Sequence, residues 1–437
     1  MKILKFGGTS VGSAARMKSV ANLINDDEQK IVVLSAMSGT TNSLVEISDY
    51  FYKKNTSGAL ERINVLEHKY HELVAELYSS EECKTQALKA LKEHFVYLRS
   101  FSKAVFTLFE EKAILAQGEL ISTMLFQLYL KEIKADSVLL PALDFMRIDK
   151  NAEPDTAFIA ENIEKHLTEN KGHKIYITQG YICRNFYGEI DNLQRGGSDY
   201  SASLIGAAIH CEEIQIWTDI DGMHNNDPRY VKNTKPVPYL HFEEAAELAY
   251  FGAKILHPTC ILPAKLANIP VRLLNTMDPD AHGTLISQQH CKDSIQAVAA
   301  KDGITAIKIK SGRMLLAYGF LRKVFDVFES HRTSIDMITT SEVGVSVTID
   351  NKKHLDEIVN ELKKLGTVTV DTDLVIICVV GDIPADNIGM QAKATDALKD
   401  IPVRMISYGG SNYNISFLVK AEDKVQALNA LSEKLFD

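Results

Sequence analysis

The sequence predicts an α/β domain with a largely parallel central sheet, followed by a pair of small α+β units. Three observations predict it. Short apolar runs alternate with longer helical patterns through the first part of the chain. Several of those runs end in loops of small residues. Beyond about residue 283 the chain repeats itself. The 437 residues exceed one ordinary core, so two or three domains are expected. Hydrophobic content of 46% and charged content of 24% are those of an average globular protein.

The first strand is Ile3-Leu4, followed directly by Lys5-Phe6-Gly7-Gly8-Thr9-Ser10. The second, Ile31-Val32-Val33-Leu34, runs into Ser35-Ala36-Met37-Ser38-Gly39. From about Leu44 to Leu115 the pattern is helical and polar-faced, with no strand-like run. Further strands are expected at Ser137–Leu140, Lys174–Ile177 and Glu213–Trp217, with a helix from Asp199 to His210. Buried strands alternating with helices imply a parallel sheet, and ligands bind at the carboxyl ends of such strands. After Asn275, Met277-Asp278-Pro279-Asp280-Ala281-His282-Gly283 reads as a turn-rich linker. In the tail, Ser334-Ile335-Asp336-Met337-Ile338 resembles Pro402-Val403-Arg404-Met405-Ile406. Each leads to an alternating strand (343–349, 414–419) and then an amphipathic helix (354–365, 423–435). Two such units, each too small to bury much alone, are expected to pack together.

A net charge of −9 argues against nucleic acid as the main partner, though not against a nucleotide. Six scattered cysteines (83, 183, 211, 260, 291 and 378) without a Cys-x-x-Cys pair favour a reducing compartment over disulfides or structural zinc. No signal-peptide pattern and no stretch near the ~20 residues of a membrane span are read, so a cytoplasmic protein with no membrane partner is expected.

Lys5 beside Gly7 and Gly8 suits a phosphate, because bare backbone can approach a ligand closely. The spacing is neither that of a P-loop nor that of a dinucleotide fingerprint. By itself the segment reads equally as a glycine turn. Gly118-Glu119 puts an acid at a helix start, where the helix dipole favours it with or without function. In Arg195-Gly196-Gly197-Ser198-Asp199, Ser198 or Asp199 is a candidate helix cap. Capping does not account for Arg195, whose fork beside bare backbone suits a carboxylate or phosphate. Trp217-Thr218-Asp219-Ile220-Asp221-Gly222 has its glycine too early for a calcium loop and lacks the closing glutamate. Its polar turn, with Asn226-Asp227-Pro228-Arg229, better fits nucleotide contacts. Phe251-Gly252-Ala253-Lys254 supplies a second lysine near glycine, while His68 and His71 lack zinc-helix spacing and read as surface.

Taken in order, Lys5–Ser10, Val33–Ala36, Gly118-Glu119, Arg195–Asp199, Trp217–Asp219, Asp227–Arg229 and Phe251–Lys254 resemble the aspartate kinases. Gly319-Phe320-Leu321 and Ile338–Glu342 resemble their regulatory ACT domains. The resemblance implies a three-layer αβα sandwich of the amino-acid kinase type at 1–290 and a linker at 291–302. It also implies ACT domains at 303–370 and 371–437, intertwined. It implies ATP and Mg²⁺, with L-aspartate as phosphoryl acceptor and no resident metal site. Lys5, Gly7 and Gly8 would meet the transferring phosphate, and Lys254 the nucleotide phosphates. Asp199 would hold Lys5 or Mg²⁺. Arg195 and Glu119 would bind the α-carboxylate and α-ammonium of aspartate, helped by Ser35, Thr41 and Ser198. Thr218, Asp219, His224 and Arg229 fall on nucleotide contacts; His224 stands where many relatives carry tyrosine. Met314, Gly319, Phe320, Leu321, Ser334, Ile335, Asp336, Ser341 and Glu342 match a lysine-responsive site, with threonine as second candidate. A homodimer or tetramer through the ACT sheets is implied. The competing readings are another carboxylate-phosphorylating amino-acid kinase and a silent amino-acid-binding regulator.

Overall fold

The structure is a computed structural model that describes residues 1–103, 105–193, 196–252, 257–289, 294–312, 318–384 and 386–436. The chain forms two units. The first comprises Met1–Met223 and Leu256–Gln288; the second comprises His224–Ile255 and Gln289–Asp437. The expected first domain, 1–290, is therefore interrupted by 224–255.

In the first unit, β1 (Lys2–Phe6) leads to α1 (Ala14–Ile24), which Ser13 caps. β2 (Lys30–Leu34) is buried throughout, as its unbroken apolar run requires. The polar-faced stretch then resolves into α2 (Thr40–Tyr52), α3 (Thr56–Leu77), α4 (Glu81–Ser100) and α5 (Leu108–Leu115). Asn55, Ser80 and Thr107 each accept a first-turn N–H, which sets the breaks between them. In α3 the buried residues Ala59, Ile63, Leu66, Tyr70, Leu73 and Leu77 recur at helical spacing and make one inward stripe. Next come α6 (Gln117–Glu132), β3 (Ser137–Leu139), α7 (Ala142–Phe145), α8 (Thr156–Glu169) and β4 (Ile175–Gln179). A small hairpin, β5 (Ile182–Arg184) and β6 (Ile190–Asn192), precedes α9 (Gly197–Ala208) and β7 (Ile214–Thr218).

The chain then contributes β8 (Tyr239–His241) and α10 (Phe242–Tyr250) to the second unit. It re-enters the first with α11 (Pro258–Leu266), β9 (Val271–Asn275) and β10 (Thr284–Ser287). Within the first unit the sheet runs β3-β4-β2-β1-β7-β9-β10, all parallel up to β9. Leu4, Phe6, Val32, Leu34, Ile177 and Trp217 share one core with α1 to α6. α8 and α11 each pack on α9, which lies against β1, β2 and β7. This is the expected three-layer αβα sandwich.

Two expectations are corrected here. Residues 277–283 do not link domains: β9 and β10 pair antiparallel, so these residues are the loop of a hairpin. The segment Leu108–Glu132 has the length and apolarity of a membrane span, against the expectation of none. It is α5 and α6 end to end, and 72% of its apolar window is buried in the protein, as in a core helix.

The C-terminal part of the second unit contains β11 (Ile295–Lys310), α12 (Phe320–Ser330), β12 (Ile338–Ser341), β13 (Gly344–Ile349) and α13 (Leu355–Leu362). The same order recurs in β14 (Thr367–Gly381), α14 (Met390–Ala397), β15 (Met405–Tyr408), β16 (Asn414–Lys420) and α15 (Lys424–Phe436). One sheet, β12-β13-β11-β14-β16-β15, joins both copies. Its register proves the repeat. Advancing each number by 70 turns the pair Thr305–Ile349 into Val375–Val419, and exchanging the copies (301 advanced by 70, 376 set back by 70) turns Lys301–Ile376 into Asp371–Ala306. Each copy keeps its own core, around Phe328 and Val347 in the first and Phe417 and Leu428 in the second. From Ile295 onward the expected linker 291–302 is the first half of β11, paired along β14. Its apolar residues Ala297 and Val298 are buried because the two copies share these long central strands.

Gly283 ends the hairpin loop at φ +63, where a Cβ would sit 1.9 Å from the Leu273 carbonyl oxygen. Gly283→Ala is expected to destabilise the first unit by about 2 kcal/mol or more. The thermal midpoint should fall by roughly 4 °C or more, measured by calorimetry; an unchanged midpoint would show that the hairpin relaxes freely.

Candidate active site

Strand order reverses at β1: β2 lies on one side of it, β7 and β9 on the other. The carboxyl ends of β1 and β7 therefore border the crevice where ligands of such sheets bind. Strand alternation decides which side chains reach it. Leu4 and Phe6 enter the core beneath α1 to α6, so Lys5 points to the opposite face, covered by α9. There its Nζ lies 2.6 Å from Asp199 Oδ1. Lys5 is 8% exposed, so this ammonium is almost wholly desolvated and needs the carboxylate. The contact is close but poorly aligned, and Oδ1 makes no well-formed hydrogen bond.

The loop after β1 is stitched on both sides. Gly7 N–H donates to the Trp217 carbonyl at 3.3 Å, and Ser38 N–H donates to Gly8 O at 3.1 Å. Gly8 is obligatory because a Cβ would sit 2.7 Å from Ala36 O. Gly7, expected to meet the transferring phosphate, has its own N–H directed to Trp217. Ser10 adds a hydroxyl contact to Thr276 at 2.7 Å, tying the same loop to the end of β9. Neither residue was singled out in the sequence, where they are ordinary turn residues.

The helix-start motif also differs from expectation. Neither Ser198 nor Asp199 caps α9. The cap position is Gly196, in the left-handed region at φ 76, with Gly197 at φ 44. Ser198 and Asp199 therefore stand inside the first turn with side chains free for other partners. Ser35 Oγ donates to Ser198 Oγ at 2.9 Å, joining the end of β2 to α9. Gly180, just after β4, leaves room for this: a Cβ there would be 2.3 Å from Ser198 Cβ. Cys260 on α11 backs Gly196, whose Cβ would fall 1.9 Å from its sulfur. Burial pushes the Cys260 thiol up to about 12, so it serves as packing. No local pattern around Cys260 signalled that contact.

Glu119 stands in the first turn of α6 and is 4% exposed. Its Oε1 accepts the Ala36 N–H at 3.2 Å, so it reaches the loop that carries Ser35. Burial raises its pKa to about 7, and the bond from Ala36 only partly offsets this. Thr41 is exposed in the first turn of α2, behind Gly39 at φ 80. Thr218 turns the chain after β7, its Oγ1 accepting the Ile220 N–H at 3.2 Å, and Asp219 is exposed. His224 and Arg229 belong to the second unit. His224 Nδ1 pairs with Thr234 Oγ1 at 2.9 Å, and Arg229 Nη2 with Asp227 Oδ2 at 2.6 Å. Arg195, Lys254 and Met314 lie outside the described residues.

Among the expected sensor residues, Gly319 begins α12 at φ 79. Phe320 is buried in the first repeat's core, so its side chain packs instead of facing a ligand, whereas Leu321 is exposed. Ser334, Ser341 and Glu342 are exposed, Ile335 is half-buried, and the Asp336 side chain is fully buried.

The amino acid kinase family model matches residues 1–275, and an ACT domain model matches 377–435. Lysine-sensitive aspartokinase 3 of Escherichia coli K12 is 32% identical over 100% of this chain and 99% of its own. The chain belongs to the aspartokinases. Two crystal structures of E. coli aspartokinase III cover 100% of both chains at 32% identity. The complex with aspartate and ADP has a TM-score of 0.86, and the complex with lysine and aspartate 0.82. The ACT model thus marks the second repeat, and the 70-residue register extends the same unit to the first.

Because the Glu119 pKa is raised from 4.5 to about 7, its protonated form adds stability that is full below pH 4.5 and lost as pH climbs through 7. Glu119→Gln should therefore stabilise the ligand-free protein at pH 8 by an amount on the order of 3 kcal/mol, and hardly at pH 5. Thermal midpoints across that range check this; a gap independent of pH would contradict the buried acid.

Proposed function

We propose that this aspartokinase transfers the γ-phosphoryl group of ATP to the side-chain carboxylate of L-aspartate, giving 4-phospho-L-aspartate and ADP. The observation that carries the reading is the nearly buried Lys5 ammonium beside Asp199, at the glycine-loop end of the central strand. The solved relative with aspartate and ADP supports the two ligands.

The acceptor is a carboxylate with a pKa of ~3.9, already ionised near pH 7, so no general base is needed. The difficulty is bringing two anions together while charge spreads over the transferring group. Lys5 meets that demand: at ~4 Å and an effective dielectric of ~20, one ammonium–phosphate contact offers roughly 4 kcal/mol of gross attraction. Its misaligned contact with Asp199 leaves N–H directions for phosphate oxygens. Gly8 keeps the backbone low enough for close approach. Glu119 takes the substrate ammonium, which requires its carboxyl to ionise, and Arg195 takes the α-carboxylate. Ser35, Ser198 and Thr41 add hydroxyl contacts. Thr218, Asp219, His224, Arg229 and Lys254 serve the nucleotide.

For Mg²⁺, no group of three His, Cys, Asp or Glu side chains gathers among the described residues. The single carboxylate of Asp199 fits a small hard cation that keeps water and phosphate oxygens as its main ligands. When bound, the ion neutralises phosphate charge. Lysine is the proposed feedback effector, supported by the lysine complex of the relative. β12 and β15 end the regulatory sheet, and a homodimer or larger assembly through that sheet is the proposed state. A cytoplasmic location fits the absence of a disulfide among the described cysteines.

A coupled ADP-release assay across acidic amino acids tests the reaction; turnover with glutamate and none with aspartate would overturn it. Lys5→Ala is expected to cut turnover by about 10²-fold or more, and near-normal turnover would remove Lys5 from the chemistry. Arg195→Ala should weaken aspartate binding while leaving ATP affinity nearly intact, as calorimetric titration of each ligand would show. Equal losses would contradict its assignment.

A further inference from the structure

Asp336 occupies an unusual position for a residue expected to meet a free effector. Its side chain is fully buried, and Oδ1 accepts two hydrogen bonds, from Lys301 Nζ at 2.7 Å and from the Tyr250 hydroxyl at 2.7 Å. Lys301 also contacts Asp350 at 2.9 Å and lies over the Tyr250 ring, 4.3 Å from its centroid. Burial works against the Lys301 charge, but its two carboxylate partners prevail and hold its pKa above the ordinary lysine value. The other oxygen, Asp336 Oδ2, is buried with no hydrogen-bond partner among the described residues. A buried carboxylate oxygen left unmatched has a strong deficit for one more donor.

Tyr250 is the last residue of α10, in the segment 224–255 that carries the expected nucleotide contacts His224, Arg229 and Lys254. The segment is fastened to both repeats. Asn414 Nδ2 donates to Glu247 Oε2 at 2.5 Å, and Val231 lies in the second repeat's core. Gly252 lies so close to β11 that a Cβ would come within 2.2 Å of Ala300 O. Lys254 follows only two residues later in sequence.

The second repeat supplies an internal comparison. The 70-residue register puts Asp371 where Lys301 stands and Lys420 where Asp350 stands. Arg404 N–H donates to Leu418 O just as Asp336 N–H donates to Thr348 O, so Arg404 is the counterpart of Asp336. All three charges are reversed. Arg404 and Asp371 pair with each other at 3.0 Å, beside an open groove of about 750 Å³. In the first repeat the corresponding charges instead hold a tyrosine from the nucleotide-side segment.

We infer that Asp336 is a relay: one carboxylate oxygen holds Tyr250, and through it the nucleotide-side segment, while the other is the acceptor for the effector's ammonium. An ammonium arriving at Oδ2 shares the charge that now serves Lys301 and Tyr250. The hold on the end of α10 weakens, and segment 224–252 loses that anchor. Tyr250 is thus a positioning residue acting on nucleotide binding. The inference rests on the reading of Asp336 as an effector contact.

Tyr250→Phe tests it, because the ring over Lys301 stays and only the hydroxyl goes. Without effector, KM for ATP should rise about fivefold, the equivalent of one lost hydrogen bond, with kcat little changed. Calorimetry should detect lysine binding at least as tight as in the parent, because the hydroxyl no longer draws on Asp336, while the maximal inhibition that lysine produces falls. Arg404→Met, in the charge-reversed repeat, should leave both the KM for ATP and the inhibition curve as in the parent. Unchanged KM and inhibition in Tyr250→Phe would overturn the relay, as would an equal effect of Arg404→Met. A parent enzyme indifferent to lysine and threonine would remove the effector reading alone, and the KM for ATP would still judge the relay.

Discussion

The ion pair between Lys5 and Asp199 is the constraint on which the rest of the first unit turns. An ammonium placed on the central strand of a parallel sheet, on a face covered by a helix, is deprived of water by its own scaffold. Only a carboxylate delivered by that covering helix makes the position tolerable, and removing either partner would leave an uncompensated buried charge. The pair therefore fixes where α9 begins, and this explains the two left-handed glycines that start it. It also explains why Ser198 and Asp199 are not helix caps. A cap side chain would fold back on its own helix, whereas these two reach across to β2 and β1.

The same economy of placement holds for Glu119. Sequestering a carboxyl at the start of α6 raises its proton affinity into the neutral range, and a substrate ammonium would reverse that. A site poised in this way favours a ligand that brings its own positive charge. In the proposed reading it would meet the ammonium of the amino-acid acceptor, while the lysine beside the glycine loop would meet the anionic donor.

The second unit is built from one motif used twice around shared central strands, yet the copies are not equivalent. Three charges are reversed at matched positions, so the same ion pair recurs with opposite polarity, and only the first copy adds a tyrosine to it. In the first, a buried carboxylate takes hold of α10. Segment 224–255 is contiguous in sequence with the kinase region but is packed among the repeats, so the division between catalysis and regulation does not follow chain order.

Much of the fold was legible in the residues. Unbroken apolar runs such as Ile31–Leu34 announced buried parallel strands, and the matched 334–338 and 402–406 segments announced the repeat. The order of the motifs, read as a resemblance, pointed to Lys5, Asp199, Ser35, Ser198 and Glu119; alone, the Lys5 loop reads equally as a glycine turn and Glu119 as a helix-start acid. Residues 277–283 read as a linker because turn-forming residues mark a hairpin loop as readily as a domain boundary, and only pairing partners distinguish them. Likewise, the apolar stretch 108–132 acquires its meaning from the helices packed around it. What the sequence determined was the set of periodicities and turn chemistries, since these act between near neighbours. Which Cβ would collide, which carboxylate meets which ammonium, and which repeat grips α10 were decided by tertiary structure alone. Those contacts join residues as far apart as 5 and 199, or 250 and 336, and no local pattern encodes a distance across the fold.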